Sequence, residues 1–257
     1  MSPIHFQITD AIGIITLNRP DKLNSFNREM ALLMQEKLDE CTAQEIRCVY
    51  ITGTGKAFSA GQDLAEAIDP EGPGMKNILS EHYNPIIRKI KKLEKPVVAA
   101  VNGVAAGAGA NIAFACDIIV AANSASFIQA FSKIGLIPDS GGTYTLPRLV
   151  GWQKASALMM LGDKISAEEA ERMGMVYKVF TDSAFPADSM QIAKTLARMP
   201  TKGLAFTKQV LNMSLNNNLE DQMQEEDVFQ QRAAQTADYL EGVAAFLEKR
   251  QPNFTGE

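Results

Sequence analysis

The run Val97-Val-Ala-Ala-Val101 is apolar throughout, without the in–out alternation of a strand that has one face in water. Bounded by Pro96 and by Asn102-Gly103, it is too short for a stable helix and reads as a strand covered on both faces. A strand of that kind requires a sheet shielded by other layers, which places the chain in the α/β class. The neighbouring segments agree. Residues 77–93 read as a helix before the strand, and Asn102-Gly-Val-Ala-Ala-Gly-Ala-Gly-Ala leads into an apolar helix ending at Cys116. Residues 118–121 form a second buried strand. Strand and helix in alternation argue for crossover units and a mainly parallel core.

Upstream, Ile4–Thr9 and Ile12–Leu17 are β-like runs separated by Asp10-Ala11, a connection of hairpin length. Asn24-Ser25 offers an N-cap for a helix over 29–41. Residues 48–52 read as a buried strand ended by Gly53-Thr-Gly-Lys, and 69–74 as a mobile loop. From Ser166 onward the pattern is nearly all helix, over 166–173, 187–197, 201–215 and 219–250. Ser166-Ala-Glu-Glu serves as a capping box for the first of these. No linker or low-complexity tract sets this helical part apart. It is expected to pack on the core or on a neighbouring subunit.

Composition excludes several functions. The net charge of −5 gives no reason to expect nucleic acid as a partner. The first ten residues lack a basic segment followed by an apolar one, and no stretch of about 20 uninterrupted apolar residues is present. A soluble, cytoplasmic protein is expected, with no membrane partner. The three cysteines, Cys41, Cys48 and Cys116, have no metal-ligand spacing and read as buried, reduced thiols. The two histidines, His5 and His82, lie near no nucleophile motif, so a Ser-His-Asp hydrolase is disfavoured, and no metal site is expected.

Two glycine-containing turns could carry chemistry: Ala60-Gly61-Gln62-Asp63, and Gly107-Ala108-Gly109-Ala110 ahead of the apolar helix. Each can be a tight turn or a close-packing device. If the two converge, their backbone N–H groups make an oxyanion hole without a charged side chain. Neither turn fits a dinucleotide or Walker motif. A third segment, Ile134-Gly-Leu-Ile-Pro-Asp139-Ser-Gly-Gly-Thr143, carries an aspartate that can be a helix N-cap or a proton shuttle. A wall of Phe131, Ile134, Leu136 and Ile137 would raise its pKa by desolvation and suit it to the second role.

These segments together resemble the crotonase, or enoyl-CoA hydratase/isomerase, family. The resemblance rests on Leu17-Asn-Arg-Pro with Leu23-Asn-Ser-Phe, Ala57-Phe-Ser-Ala-Gly-Gln-Asp-Leu and Lys95-Pro-Val-Val-Ala-Ala-Val-Asn-Gly103. Cys116-Asp117, Gly135 to Thr143, Gly162-Asp-Lys-Ile-Ser-Ala-Glu-Glu-Ala and Phe246-Leu-Glu-Lys-Arg-Gln-Pro-Asn-Phe254 extend it over nearly the whole chain. It implies a superhelix of ββα turns with two stacked sheets flanked by helices, over residues 1–200. A C-terminal helical trimerisation region would span 201–257, in a homotrimer or dimer of trimers. The implied substrate is an acyl-CoA, with no separate cofactor.

The resemblance further implies that the N–H groups of Gln62 and Ala108 form the oxyanion hole. Lys56, Ala60, Asp63, Leu64 and Phe131 would contact substrate or coenzyme A, with Lys249 and Phe254 contributing from the tail. Hydratases of the family activate water with two glutamates, and the matching positions are Asn111 and Phe131, neither of which exchanges protons at neutral pH. The acid stands instead at Asp139. This pattern is similar to a subgroup of isomerases acting in phenylacetate degradation, which turn ring-1,2-epoxyphenylacetyl-CoA into oxepin-CoA. Movement of a double bond from 3-enoyl-CoA to 2-enoyl-CoA is the related expectation. The rival readings are a 3-enoyl-CoA to 2-enoyl-CoA isomerase of aliphatic substrates, an enoyl-CoA hydratase, and a non-catalytic binder of RNA or protein on the same fold.

Overall fold

The computed structural model describes residues 2–257. The strands are β1 (Ile4–Thr9), β2 (Ile12–Leu17), β3 (Cys48–Gly53), β4 (Ala57–Ser59), β5 (Val97–Val101), β6 (Val104–Ala106), β7 (Ile118–Ala122), β8 (Ser126–Ile128), β9 (Lys164–Ser166) and β10 (Lys178–Phe180). The first part of the chain contributes helices α1 (Arg28–Glu40), α2 (Leu64–Ala67), α3 (Gly74–Asn77), α4 (Asn84–Lys92) and α5 (Ala108–Ala115). After them come α6 (Gly142–Val150), α7 (Trp152–Leu161), α8 (Ala167–Arg172), α9 (Phe185–Ala197), α10 (Thr201–Ser214), α11 (Leu219–Ala233) and α12 (Ala237–Glu248).

The strands divide between two sheets, ordered β1-β2-β3-β5-β7-β10 and β4-β6-β8-β9. All neighbours are parallel except the outer pairs β1/β2 and β8/β9. The pairs β3/β4, β5/β6 and β7/β8 each send one strand to either sheet before the chain turns helical, which is the expected ββα superhelix. Every residue of β5 is buried. On one side α9 crosses β2, β3, β5, β7 and β10, and β4 of the second sheet meets β3 and β5.

The Asp10-Ala11 hairpin is present, both residues at positive φ (52° and 60°), the twist a two-residue turn needs. Three expectations need correction. The N-cap of α1 is Asn27, whose side chain accepts from Met30 N–H, because Asn24 is drawn into other bonds described below. The single helix expected over 219–250 is two, α11 and α12, with Thr236 capping the second by accepting from Tyr239 N–H at 3.1 Å. The region after Ser166 also returns one strand, β10, to the main sheet. The segment expected as a mobile loop over 69–74 joins α2 to the first residue of α3 and includes a turn in which Gly72 N–H donates to Asp69 O at 2.9 Å.

The C-terminal helices are fastened to the core by a buried ion. Lys208 Nζ on α10 donates to Ile90 O and Lys95 O and pairs with the Asp117 carboxylate at 2.8 Å. The same carboxylate accepts from Val97 N–H at 2.8 Å, so Cys116-Asp117 secures the start of β5 as well. The chain end folds back onto α12, where the buried Asp238 carboxylate accepts from the N–H groups of Thr255 and Gly256. All three cysteines are free and buried, and burial pushes each thiol up to about 12. No described helix is long and apolar enough to cross a membrane.

Candidate active site

The turn after β4 is held in a cradle built from residues 19–26. Phe26 N–H donates to Gly61 O at 2.7 Å, Asp63 N–H to Phe26 O at 2.8 Å, and Ala60 N–H to Leu23 O at 2.9 Å. Asn24, fully buried at positive φ, accepts from Arg19 N–H and donates to Thr54 O and Ala57 O. The Ser59 hydroxyl donates to Asn24 O and accepts from Gly61 N–H. The Asn-Arg-Pro and Asn-Ser-Phe segments thus build the scaffold of the first turn.

The second turn leaves β6 through Gly107, at φ 52° and ψ −126°, and enters α5. It comes up against the first closely enough that side chains would intrude. A Cβ on Gly61 would lie 2.9 Å from Ala106 O and 3.3 Å from Ala108 N, and one on Gly109 would lie 2.4 Å from Ser59 O. With that contact made, Gln62 and Ala108 both line one cavity, and among the described residues neither of their N–H groups donates to another group. Ala108 is the first residue of α5, so its N–H belongs to the positive end of that helix.

The cavity, about 150 Å³, is lined by Leu64, Ala67, Met75 and Ile78 on one side and by Phe131, Ile134 and Leu136 on the other. Asp139 is the ionisable side chain on its wall. Burial raises the Asp139 pKa, partly opposed by the Ser140 hydroxyl, which donates to the carboxylate at 2.7 Å. The carboxylate does not cap α6: the N-cap of that helix is Gly141, with no side-chain capping bond. Of the two roles open to this aspartate, capping is therefore absent.

What fixes Asp139 is its own carbonyl, which accepts from Gly142 N–H and from Asn111 Nδ2, both at 2.8 Å. Asn111 is buried, and its Oδ1 in turn accepts from Gln129 Nε2 at 2.9 Å. Asn111, the position expected to match a hydratase glutamate, therefore braces the main chain that carries Asp139. Phe131, at the other such position, is a buried ring beside Gly107.

Among the expected site residues, Ala60, Gln62, Leu64, Ala108, Phe131 and Asp139 meet at the cavity. Ile137 does not; it is 80% exposed, so the apolar wall has three of its four expected members. Asp63 also lies off the cavity, with its carboxylate committed to Arg19 at 3.0 Å and to capping α2 through Ala65 N–H. Lys56 is exposed in the turn before β4, away from the cavity wall. Lys249 is exposed at the end of α12, and Phe254 lies beside Gly242 with its carbonyl accepting from Arg47. Within one chain these two belong to the C-terminal region. Arg19, Ser59 and Gln129 were not singled out from sequence, since each acts through a tertiary bond that no local pattern encodes.

Comparisons with known proteins agree with this geometry. The profile described as Enoyl-CoA hydratase/isomerase matches residues 7–257. The chain is 48% identical over 256 residues to the 1,2-epoxyphenylacetyl-CoA isomerase of Escherichia coli (strain K12), covering 97% of each. It is 43% identical over 253 residues to a Rhodobacter capsulatus protein named "Probable enoyl-CoA hydratase", covering 98% of each. Among solved structures, the enoyl-CoA hydratase of Bacillus anthracis superposes with a TM-score of 0.93 at 32% identity, over 99% of this chain and 100% of that one. The chain belongs to the enoyl-CoA hydratase/isomerase family, the crotonases, and has their fold.

Proposed function

We propose that this enzyme is an acyl-CoA isomerase that works with one acid, and that its substrate is ring-1,2-epoxyphenylacetyl-CoA, converted to oxepin-CoA. The observation that carries the reading is a single carboxylate, Asp139, on the wall of an apolar cavity that is also lined by Gln62 and Ala108, whose N–H groups donate to no other described group. The thioester oxygen sits between those two donors, which favour enolate character. The Asp139 carboxylate takes a proton from the carbon alpha to the thioester, breaking C–H and forming O–H, and the acid formed returns it to the rearranged carbon. No water enters, so one shuttling acid suffices.

Size supports an aromatic acyl group. The cavity is about 150 Å³, and an apolar protein cavity of about 150 Å³ accepts benzene. The sequence likeness to the Escherichia coli isomerase points the same way. With a 3-enoyl-CoA the same groups would move a double bond to the 2-position. Mass spectrometry of products from an acyl-CoA panel in deuterated water tests this. The expected products have unchanged mass apart from exchanged hydrogens; a product heavier by one water would identify a hydratase and overturn the reading. The rate should climb as Asp139 ionises, with its midpoint above the ordinary 3.8.

We propose residues 201–257 as the region through which copies of the chain assemble, in a cytoplasmic trimer or dimer of trimers. On α11 and α12, Leu219, Leu240, Phe246 and Leu247 are 75%, 65%, 83% and 74% exposed. Apolar side chains in that number are not covered by their own core, and closed symmetry with other copies would cover them. Lys249 and Phe254 would then reach a neighbour's coenzyme A, and Lys56 and the main chain near Asp63 would bind it in cis. Deleting the chain from Ala237 should lower oligomer size and coenzyme A affinity together. A native monomer by light scattering, or full activity after truncation, would contradict this.

A further inference from the structure

The turn at Gln62 and the helical stretch before α4 carry buried polar atoms that the mechanism above does not use. Between α3 and α4 the helix widens into a π-helical segment, Ile78–Tyr83, marked by Asn84 N–H bonding back to Leu79 O. Ile78 at its start lines the cavity, and Tyr83 at its end is fully buried, its hydroxyl without a partner. Single π-turns inside helices are frequent at functional sites. The Tyr83 ring packs on Phe26, centroids 6.0 Å apart, and the main chain of Phe26 brackets Gln62 from both sides.

Two more buried atoms are without partners, one on the turn and one on the π-helical segment. Gln62 Oε1 is one, while Gln62 Nε2 donates to Glu66 at 3.1 Å. His82 Nδ1 is the other. His82 Nε2 lies 3.2 Å from Arg28 Nη1, and arginine only donates, so Nε2 accepts and Nδ1 carries the proton. Arg28 N–H donates to Glu66, which links Gln62, Glu66, Arg28 and His82 in an open chain of bonds. The leftover atoms are one acceptor, one donor and one hydroxyl that can be either. That set matches the bonding needs of internal water.

We propose that Tyr83 is a positioning residue of the oxyanion hole: its hydroxyl and the Gln62 side-chain carbonyl share water sealed beneath the turn, with His82 as a further donor, and this holds the Gln62 peptide in place. The inference rests on the oxyanion-hole reading and deepens it. Tyr83 is not among the residues that line the cavity, so it acts on the reaction indirectly, through Gln62.

Tyr83→Phe removes the hydroxyl and little else. The test is the thioester carbonyl stretch of bound phenylacetyl-CoA, read by isotope-edited infrared difference spectroscopy, alongside kcat, KM and Tm. The wild type should shift the stretch to lower frequency. Tyr83→Phe should lose much of that shift and about tenfold in kcat, with KM little changed. Gln62→Met, which keeps the peptide but removes Oε1, should lose the same share, and the double variant should be no worse than either single one. If the wild type shows no shift, the oxyanion reading fails and this inference with it. If the wild type shifts while Tyr83→Phe matches it in stretch and kcat and melts higher, the hydroxyl is an unsatisfied burden and the inference alone is overturned.

Discussion

Asp139→Asn is expected to cut isomerisation by roughly 10²–10⁴-fold, the usual worth of a positioned acid–base group, while leaving the fold and coenzyme A uptake intact. The amide keeps the shape and can still accept from the Ser140 hydroxyl, and the carbonyl bonds to Gly142 and Asn111 are main-chain bonds that survive. What is lost is the capacity to carry a proton. Folding raises the pKa of this carboxyl through burial, so the native state binds its proton more tightly than the unfolded chain does. Its ionised form therefore costs the fold stability at neutral pH, a cost that fades as pH falls and is gone below the ordinary value of 3.8. The variant should accordingly melt higher than the wild type near neutral pH and lose that advantage in acid. Turnover near the wild-type level in a folded variant would remove Asp139 from the mechanism.

Gly109→Ala should have the second large effect, through distance alone. Its Cβ would lie 2.4 Å from Ser59 O and 2.7 Å from Ser59 Cβ, and main chain cannot swing aside as a flexible side chain can. Relief requires the two turns to separate, which pulls Ala108 away from Gln62. A loss of about 10²–10³ in kcat is expected, as for removal of one oxyanion donor, with destabilisation of about 1–3 kcal/mol from overpacking. Gly203→Ala on α10 is the control, since its nearest neighbour outside the helix is Pro200 Cγ at 3.6 Å. Kinetics and thermal melts of both variants decide the matter: a Gly109→Ala enzyme as active as the control would mean the turns need not touch.

Most of the main sheet was legible because β2, β3, β5 and β7 are long apolar runs with clear ends. The second sheet was not legible from periodicity, since each of its strands, β4, β6, β8 and β9, has only 3 residues. It was anticipated only through family likeness. Helices α6 and α7 were hidden by Pro147 and Gly151, which read locally as breakers although the helices run up to and past them. In the site, Gln62, Ala108 and Asp139 could be picked out because turn glycines and a stranded acid are local features. Ala67, Met75 and Ile78 could not, because they reach the cavity only once α2, α3 and the π-segment have folded against it. Asn24 shows the same limit: its local chemistry suits a cap, and its buried bonds to Arg19, Thr54 and Ala57 override that preference.

The oxyanion donors proposed at 62 and 108 are main-chain atoms, and this has an evolutionary consequence. Any residue except proline supplies the same N–H, so a change of side chain at either position keeps the donor itself and alters only how firmly it is held. The acids are side chains and can be gained or lost by a single codon change. A lineage built this way can exchange one reaction for another while its grip on the thioester persists. The aspartate at 139, with asparagine at 111 and phenylalanine at 131, reads as one outcome of such an exchange.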